Sequence, residues 1–251
     1  MPKPHHGPDE NLILNLSANA PVAESYRGLR TNLRFLDVEK PLRSLLITSP
    51  GSGEGKTLTA SNLAIVTAEA GARVILIDGD LRKSQVHRLF RFDSRVGLTT
   101  VLVGRSGLPA ALQPTPVRNL RVLPAGPKPP NPAELLGSRR MADVLAELKR
   151  QADMVIIDSP PVLVVTDAAV LAAAVDGVVM VVNPRLTTYQ AAQKSKAVLE
   201  QVKAHLLGVV LNEINPNGLS GYYYSYYYGS YRDEESLTAA RQKGRHRRRG
   251  S

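Results

Sequence analysis

The feature that most constrains the fold is the segment LLITSPGSGEGKT, residues 45–57. A short apolar run leads into a glycine-rich turn, and the turn opens a segment with helical character. This context is typical of a phosphate-binding loop, because glycines let backbone N–H groups face an anion and the helix N-terminus adds partial positive charge. The pattern Gly-x-x-x-x-Gly-Lys-Ser/Thr is matched except at its first position, which is Pro50. The alternative interpretation is a Gly/Ser-rich turn that happens to precede Lys-Thr.

Within this loop, the lysine and the threonine have separate predicted roles. Lys56 can reach the β- and γ-phosphates of a nucleotide, and the Thr57 hydroxyl can bind Mg²⁺. The sequence therefore predicts an ATP and Mg²⁺ site whose loop residues are Gly51, Ser52, Gly53, Glu54, Gly55, Lys56 and Thr57.

Two later apolar runs end in aspartates. VILIDGDLR contains Asp78 and Asp80, and MVIIDSPP contains Asp158. The carboxyl ends of parallel strands line one edge of an open sheet, so these side chains should lie beside the phosphate loop. Each aspartate alone also fits a turn or helix-cap residue, but three motifs in this order favour a nucleotide site. Mg²⁺ takes one or two carboxylates beside phosphates, and its predicted ligands are Thr57, Asp80 and Asp158.

Short apolar runs alternate with helical segments across the middle of the chain. Continuously apolar runs are typical of strands that are buried on both faces of a parallel sheet. The predicted strands are Ser44–Thr48, Val74–Ile77, Leu120–Leu123, Met154–Ile157, Val178–Val182 and Leu207–Leu211. The predicted helices include Lys56–Ala70, Ser138–Arg150 and Tyr189–His205. This alternation predicts a doubly wound, mostly parallel α/β sheet of the P-loop NTPase type.

Composition divides the 251-residue chain into three parts. We predict a flexible N-terminal lead at 1–22, a globular P-loop domain at 23–214 and a disordered, low-complexity tail at 215–251. Cysteine is absent, which excludes disulfides, thiolate catalysis and cysteine metal sites. No apolar run reaches the roughly 18 residues of a membrane span, so we expect a soluble cytosolic protein.

The tail combines a tyrosine cluster with a basic end. Seven of the nine tyrosines lie within 222–231. The formal net charge is +10, and six Lys or Arg fall in 241–251, all of them in the basic end 241–249. The tyrosines also fit an aromatic edge strand or base stacking on nucleic acid. The basic run fits a solvated tail, contact with anionic lipid or pairing with phosphotyrosine.

Together these motifs resemble the bacterial tyrosine kinase family, the P-loop autokinases of capsule and exopolysaccharide synthesis. The resemblance covers about residues 23–231 and adds the proline-rich segment GPKPPNPAELL and the tyrosine-rich tail. Near the front, Glu24, Arg27 and Arg30 resemble the oligomerisation helix of the family. The match is to the type in which the kinase is not fused to its transmembrane activator.

The resemblance implies an ATP-dependent autokinase that phosphorylates tail tyrosines in trans within a homo-oligomer, for which a ring is one arrangement. It implies a separate transmembrane polysaccharide co-polymerase as activator, a cognate tyrosine phosphatase, and a location at the inner face of the plasma membrane. No nucleic-acid partner is expected. Asn212 matches the position that contacts adenine. The predicted phosphorylation sites are Tyr222, Tyr223, Tyr224, Tyr226, Tyr227, Tyr228 and Tyr231.

The chemistry of phosphoryl transfer is mostly positioning and charge neutralisation. The predicted catalytic residues are Lys56, Asp78, Asp80 and Arg82. An ordinary Asp titrates near ~4 and Tyr near ~10, so full proton transfer before attack would cost about 8 kcal/mol. We therefore expect Asp78 to orient the tyrosine hydroxyl and to receive its proton late.

A different class, the ParA/MinD-like nucleotide switches that position themselves on DNA or membrane, shares the sheet and the loop. Those proteins carry an extra lysine five residues before the invariant one, where this chain has Gly51. A tyrosine-rich tail is also not expected of them, and only the basic tail favours that alternative.

Overall fold

A seven-stranded sheet organises the computed structural model, which describes residues 12–15, 20–36 and 41–214. Its strands are β1 (Ser44–Thr48), β2 (Val74–Asp78), β3 (Gln113–Pro114), β4 (Leu120–Leu123), β5 (Met154–Asp158), β6 (Gly177–Val182) and β7 (Leu206–Leu211). Within the described residues the helices are a 3₁₀ turn (Ile13–Asn15), α1 (Pro21–Phe35), α2 (Lys56–Glu69), α3 (Val86–Leu89), α4 (Leu98–Leu102), α5 (Leu108–Ala111), α6 (Pro132–Leu136), α7 (Arg139–Gln151), α8 (Asp167–Ala172) and α9 (Tyr189–Gln201).

The strand order across the sheet is β3-β4-β2-β5-β1-β6-β7. All neighbouring strands are parallel except the pair of β3 and β4. The sequence-based prediction of a mostly parallel α/β sheet is therefore confirmed. Because the strands are parallel, the chain leaves β1, β2 and β5 at one edge of the sheet, and this edge carries the three motifs.

The central strands are buried on both faces, which explains their continuously apolar sequences. In β1, Leu46 belongs to one hydrophobic core, whereas Leu45 and Ile47 belong to the core on the other face. In β2, Ile75 and Ile77 alternate with Val74 and Leu76 in the same way. This period of two follows from the pleat of a strand. The two cores make the domain a three-layer structure with helices on both faces of the sheet.

Helix α2 is buried along most of its length because it lies between the sheet and α1. Leu63, Ile65 and Val66 join the core on the face shared with Leu45 and Ile47. On the other side, the Arg30 guanidinium of α1 donates to the Val66 carbonyl oxygen at 2.9 Å. Helix α1 is thus fastened to the last turns of the helix that follows the phosphate loop.

The predicted strands agree with the observed strands to within one residue at each end. The short antiparallel strand β3 and the short helices α3, α4, α5, α6 and α8 were not predicted. Helix α7 begins one residue after Ser138, whose hydroxyl accepts a hydrogen bond from the Met141 amide at 3.2 Å. No helix in the described part of the chain is both long and apolar enough to cross a bilayer.

Candidate functional site

The phosphate loop joins β1 to α2, and two of its glycines have positive φ angles. Gly53 has φ +82° and Gly55 has φ +88°, conformations that cost other residues steric strain. A Cβ atom at Gly55 would also lie 2.0 Å from the Asn212 side-chain nitrogen. Only glycine satisfies both conditions at position 55. The geometry therefore gives a physical reason for the glycine that directly precedes Lys56.

Glu54 is buried inside the loop and fastens it to two neighbouring strand ends. Its Oε1 accepts from the Gly51 amide at 2.5 Å. Its Oε2 accepts from the Asn183 amide at 3.1 Å and the Thr187 hydroxyl at 2.5 Å. The Glu54 carbonyl oxygen accepts from the Asn212 side chain at 3.0 Å. We call this set the Glu54 network; it ties the loop to the residues that follow β6 and β7.

We expect Glu54→Ala to lower the free energy of unfolding by about 3 kcal/mol, because three donors lose a charged acceptor. For a domain of this size that corresponds to a fall in melting temperature of roughly 6–12 °C. Thermal denaturation measures the change. Glu69→Ala, at the exposed C-terminal end of α2, is the control and should change stability by less than about 0.5 kcal/mol. Equal melting temperatures for Glu54→Ala and wild type would contradict a stabilising role of the network.

Lys56 lies at the centre of a cluster of carboxylates. Its Nζ is 3.3 Å from Asp80 Oδ2 and 3.8 Å from Asp158 Oδ1. The Thr57 hydroxyl donates to Asp158 Oδ2 at 2.7 Å. The loop and the ends of β2 and β5 thus meet at one point, as the three motifs predict. Asp80 is held in place because its Oδ1 accepts from the Lys83 amide at 2.9 Å.

The electrostatics of this cluster reflect one cation among several buried carboxylates. Burial disfavours the ammonium, but the charges of Asp158 and Asp80 outweigh burial and raise the pKa of Lys56. Burial raises the pKa of Asp158 to about 6, although Lys56 and Thr57 oppose the shift. Burial, followed by the charges of Asp158 and Asp80, raises the pKa of Asp78 well above its usual value. The cluster therefore carries excess negative charge that a further cation would relieve.

The cluster contains two buried carboxylate oxygens with unused lone pairs, and Asp158 Oδ1 is the one that fits such a cation. Asp78 Oδ1 and Asp158 Oδ1 have no hydrogen-bond partner within residues 12–15, 20–36 and 41–214, whereas buried carboxylate oxygens are normally satisfied. Among the described residues, no group of three or more His, Cys, Asp or Glu side chains is placed to hold a metal ion by itself. Mg²⁺ does not need such a group, because it keeps waters and shares phosphate oxygens with one or two carboxylates. The donor set therefore suits Mg²⁺ bound together with a nucleotide.

Asp78 lies beneath the cluster and is fully buried. It pairs in register with Asp158 on the neighbouring strand, and its Oδ2 accepts from the Val86 amide at 3.1 Å. The next residue, Gly79, donates its amide to the Asp158 carbonyl oxygen at 2.8 Å. A Cβ atom at Gly79 would lie 2.7 Å from that oxygen, so glycine is required for β2 and β5 to approach this closely.

A cavity of about 450 Å³ opens beside the cluster. Its lining includes phosphate-loop residues, the segment after β2 and the segment after β5, among them Gly53, Lys56, Thr57, Asp80, Arg82, Lys83, Pro161 and Val164. Asp78 and Asn212 are not among the lining residues. A larger cavity of about 700 Å³ lies near Leu14, Glu69 and Arg118, and none of the motif residues lines it. The nucleotide site predicted from the three motifs therefore corresponds to the smaller cavity.

Arg82 reaches a partner that the sequence analysis did not identify. Its Nε and Nη2 donate to the Asp167 carboxylate at 2.8 and 2.9 Å, and Asp167 is fully buried. The partners are 85 residues apart in the chain. From sequence, Asp167 resembles an ordinary acidic residue in the first turn of a helix, and nothing in the local pattern indicates an ion pair.

The predicted oligomerisation residues lie on α1. Arg27 and Glu24 form an exposed ion pair at 3.0 Å, which leaves both side chains at the surface. Arg30 instead donates to the backbone of α2, as described above. Thus Glu24 and Arg27 pair with each other on α1, whereas Arg30 holds α1 against α2. The tail tyrosines at 222–231 and the basic end lie outside the described residues.

A protein-family model described as an AAA domain matches residues 45–210. The chain is 42% identical over 215 residues to tyrosine-protein kinase YwqD of Bacillus subtilis, covering 85% of this chain and 91% of that protein. It is 38% identical over 218 residues to putative tyrosine-protein kinase CapB of Staphylococcus aureus, covering 87% and 95%. It also resembles tyrosine-protein kinase wzc of Salmonella typhi at 36% identity, but spans 29% of that longer protein.

Solved structures give the same result. The crystal structure of the chimerical protein CapA2B2 superposes with a TM-score of 0.79 at 37% identity, covering 83% of this chain and 92% of that chain. The kinase domain of Escherichia coli tyrosine kinase ETK superposes with a TM-score of 0.79 at 33% identity, covering 86% of each. The cell division ATPase MinD of Pyrococcus furiosus is less similar, with a TM-score of 0.58, 29% identity, and coverage of 67% and 71%.

By sequence identity, coverage and TM-score, this chain is more similar to these tyrosine kinases than to the nucleotide switch MinD. The match covers 91% of YwqD and 95% of CapB, against 71% of the MinD chain. The chain belongs to the bacterial tyrosine-protein kinase family and is an enzyme that phosphorylates tyrosine in protein.

Proposed function

We propose that this enzyme transfers the γ-phosphoryl group of ATP to the tyrosines of its own tail. The observation that supports this most directly is the position of the Lys56 ammonium, 3.3 Å from Asp80 and 3.8 Å from Asp158 beside the phosphate loop. An ammonium held there by carboxylates is oriented before the nucleotide arrives. Preorganised charge of this kind is the main source of catalysis in phosphoryl transfer.

Each residue of the cluster has a role in this proposal. The loop amides of 51–57 and Lys56 bind the phosphates. Thr57, Asp80 and Asp158 would hold Mg²⁺, which neutralises phosphate charge when bound. The family resemblance supports a contact between Asn212 and the base; the Asn212 side chain donates to the Glu54 carbonyl oxygen of the loop. Arg82 lies at the cavity wall, where its guanidinium stabilises the charge that spreads over the transferred group.

Asp78 is the proposed acceptor for the tyrosine proton. Its Oδ1 has no partner among the described residues, so this oxygen is free to accept a hydrogen bond. Because the carboxylate is fully buried, the tyrosine hydroxyl reaches it only if the surrounding cluster opens when substrate binds. The proton then moves from the tyrosine oxygen to Asp78 as the new phosphorus–oxygen bond forms and the bond from the γ-phosphorus to the bridging oxygen of the leaving ADP breaks.

The proposed substrate is the tyrosine cluster at 222–231. About ten residues separate β7 from Tyr222, a reach of up to ~35 Å, which suffices for transfer in cis or in trans. The family resemblance favours trans transfer within a homo-oligomer, with Glu24 and Arg27 exposed on α1 for contact between subunits. The same resemblance supports a role in controlling capsule or exopolysaccharide synthesis at the inner face of the plasma membrane. The proposed partners there are a transmembrane activator and a tyrosine phosphatase.

Mass spectrometry of the tail after incubation with Mg-ATP tests this proposal. We expect phosphate on one or more of the seven tail tyrosines, with a yield that rises when a cytoplasmic fragment of the activator is added. A variant in which all seven are phenylalanine should bind nucleotide normally and should lose most of the phosphotyrosine signal. Phosphate found only outside the tail, with or without activator, would contradict the proposed substrate.

A further inference from the structure

We propose that Asp167 is a positioning residue that holds the Arg82 guanidinium at the wall of the nucleotide cavity. This inference rests on the proposed kinase reaction and adds a residue that none of the three motifs contains. Three observations support the inference. They are the geometry of the Arg82–Asp167 pair, the N–H donors that Arg82 keeps free, and the position of the pair between two walls of the cavity.

The pair has the two-pronged geometry that fixes a guanidinium in a plane. Arg82 Nε donates to Asp167 Oδ2 at 2.8 Å, and Nη2 donates to Oδ1 at 2.9 Å. Bidentate pairs restrict orientation more strongly than a single contact, which is why arginine and lysine are not equivalent at such positions. Asp167 is fully buried, whereas the Arg82 side chain is 38% exposed. The carboxylate is therefore the fixed partner, and the guanidinium is the group presented to the cavity.

Arg82 keeps donors available after this pairing. A guanidinium has five N–H donors, and the pair uses Nε and Nη2. Within residues 12–15, 20–36 and 41–214, Nη1 has no hydrogen-bond partner. Arg82 also lines the cavity together with Lys56 and Asp80. The free nitrogen can therefore bind an anionic oxygen of the nucleotide while the other two stay on Asp167.

The pair also joins two walls of the cavity. Arg82 belongs to the segment after β2, with Asp80 and Lys83. Asp167 is the first residue of α8, directly after the segment that follows β5, of which Pro161 and Val164 line the cavity. The first segment follows Asp78 at the end of β2, and the second follows Asp158 at the end of β5. Holding them together fixes the distance between the guanidinium and the lysine that binds the phosphates.

This arrangement predicts an effect on the rate of transfer rather than on nucleotide binding. The main contacts to the nucleotide come from the phosphate loop and Lys56, which Asp167 does not touch. Releasing Arg82 from Asp167 leaves its charge in the cavity but removes its fixed orientation. Misplacement of a catalytic group by about 1 Å can lower a rate by roughly 100-fold. We expect Asp167→Asn to lower kcat about 10- to 100-fold while KM for ATP changes by less than about threefold.

A double-mutant cycle distinguishes positioning from a purely structural role. Tail phosphorylation is measured at several ATP concentrations for wild type, Asp167→Asn, Arg82→Ala and the double variant. If Asp167 acts through Arg82, the double variant is no slower than Arg82→Ala, because nothing is left to position. Losses that multiply, or an Arg82→Ala variant with the wild-type rate, would overturn the proposal.

A second ion pair supplies the matched control. Arg73 and Asp153 also form a bidentate pair, at 3.2 and 2.6 Å, but at the opposite edge of the sheet and in solvent. Asp153→Asn should leave kcat and KM unchanged. If Asp167→Asn does not fold, Arg82→Lys is used as the test variant, because lysine keeps the positive charge but cannot make the bidentate contact with Asp167. An Arg82→Lys enzyme with the wild-type kcat would also overturn the proposal.

The outcomes separate this inference from the proposed function. Wild-type protein that forms no tail phosphotyrosine, with activator present, would contradict the proposed function itself. Active wild-type protein with multiplying losses in the cycle would contradict only the role of Asp167.

Discussion

Lys56→Met is expected to reduce tail phosphorylation by at least about 100-fold, the size of effect seen when one preorganised charge is removed from a transition state. The structural reason is that the Lys56 ammonium lies 3.3 Å from Asp80 Oδ2 and 3.8 Å from Asp158 Oδ1. Methionine keeps most of the length of the side chain and removes the charge that faces the phosphates. Mass spectrometry of the tail with Mg-ATP and activator measures the loss.

The same variant should also be less stable without nucleotide. Removing one partner of a buried ion pair leaves an uncompensated charge and typically costs about 3–5 kcal/mol. Here Asp78 and Asp158 can take up protons, because burial already raises their pKa values, so we expect a loss nearer the lower value. The control is Lys196→Met, which removes an exposed lysine that pairs with Glu200 on α9. It should change neither tail phosphorylation nor stability. Wild-type phosphorylation by Lys56→Met would remove Lys56 from the mechanism.

Asp78→Asn is expected to lower phosphotyrosine formation by about 100-fold or more while leaving nucleotide affinity within about threefold of wild type. General acid–base contributions are usually of this size. Asparagine retains an oxygen for the Val86 amide but cannot take up the tyrosine proton. Nucleotide affinity is preserved because the phosphate loop and Lys56 are unchanged. Rates and affinities are measured separately, by tail mass spectrometry and by titration with a fluorescent nucleotide.

Stability provides a second readout for Asp78→Asn. The substitution removes one of several like charges from a fully buried cluster, so we expect an unchanged or higher melting temperature. If Asp78→Asn folds and binds ATP but does not phosphorylate tyrosine, Asp78 is identified as the acceptor of the tyrosine proton. Asp143→Asn, on the exposed face of α7, is the control and should have no effect. Wild-type rates in Asp78→Asn would exclude Asp78 as acceptor.

Much of this fold could be predicted because its strands are buried on both faces. Continuously apolar runs such as those of β1 and β6 need no alternation to be recognised, and their bounds agree to within one residue. The short strand β3 could not be found in this way, because it has two residues, includes Pro114 and depends on pairing with β4. Its existence is a consequence of tertiary packing rather than of local pattern.

The site shows the same division between local and long-range information. Lys56, Asp80 and Asp158 could be predicted to meet because parallel strands deliver their ends to one edge. Glu54 could be placed in the loop but not inside a network, since its partners Asn183 and Thr187 lie far along the chain. The sequence around Asp167 did not indicate its role for the same reason, because its partner Arg82 is 85 residues away in the chain. Sequence motifs locate the groups near the phosphates, whereas the groups that orient them follow only from the folded chain.

The hydrogen bond from Arg30 to the Val66 carbonyl oxygen links α1 to Lys56 through a single rigid helix, α2. Helix α2 starts at Lys56 and ends at Glu69, a length of about 20 Å. Val66 accepts both from Arg30 and from the amide of Ala70 at the end of this helix. The subunit contact that we propose on α1 would therefore act on one end of a rod whose other end carries the Lys56 ammonium, and assembly would then be coupled to the geometry of the proposed phosphate site.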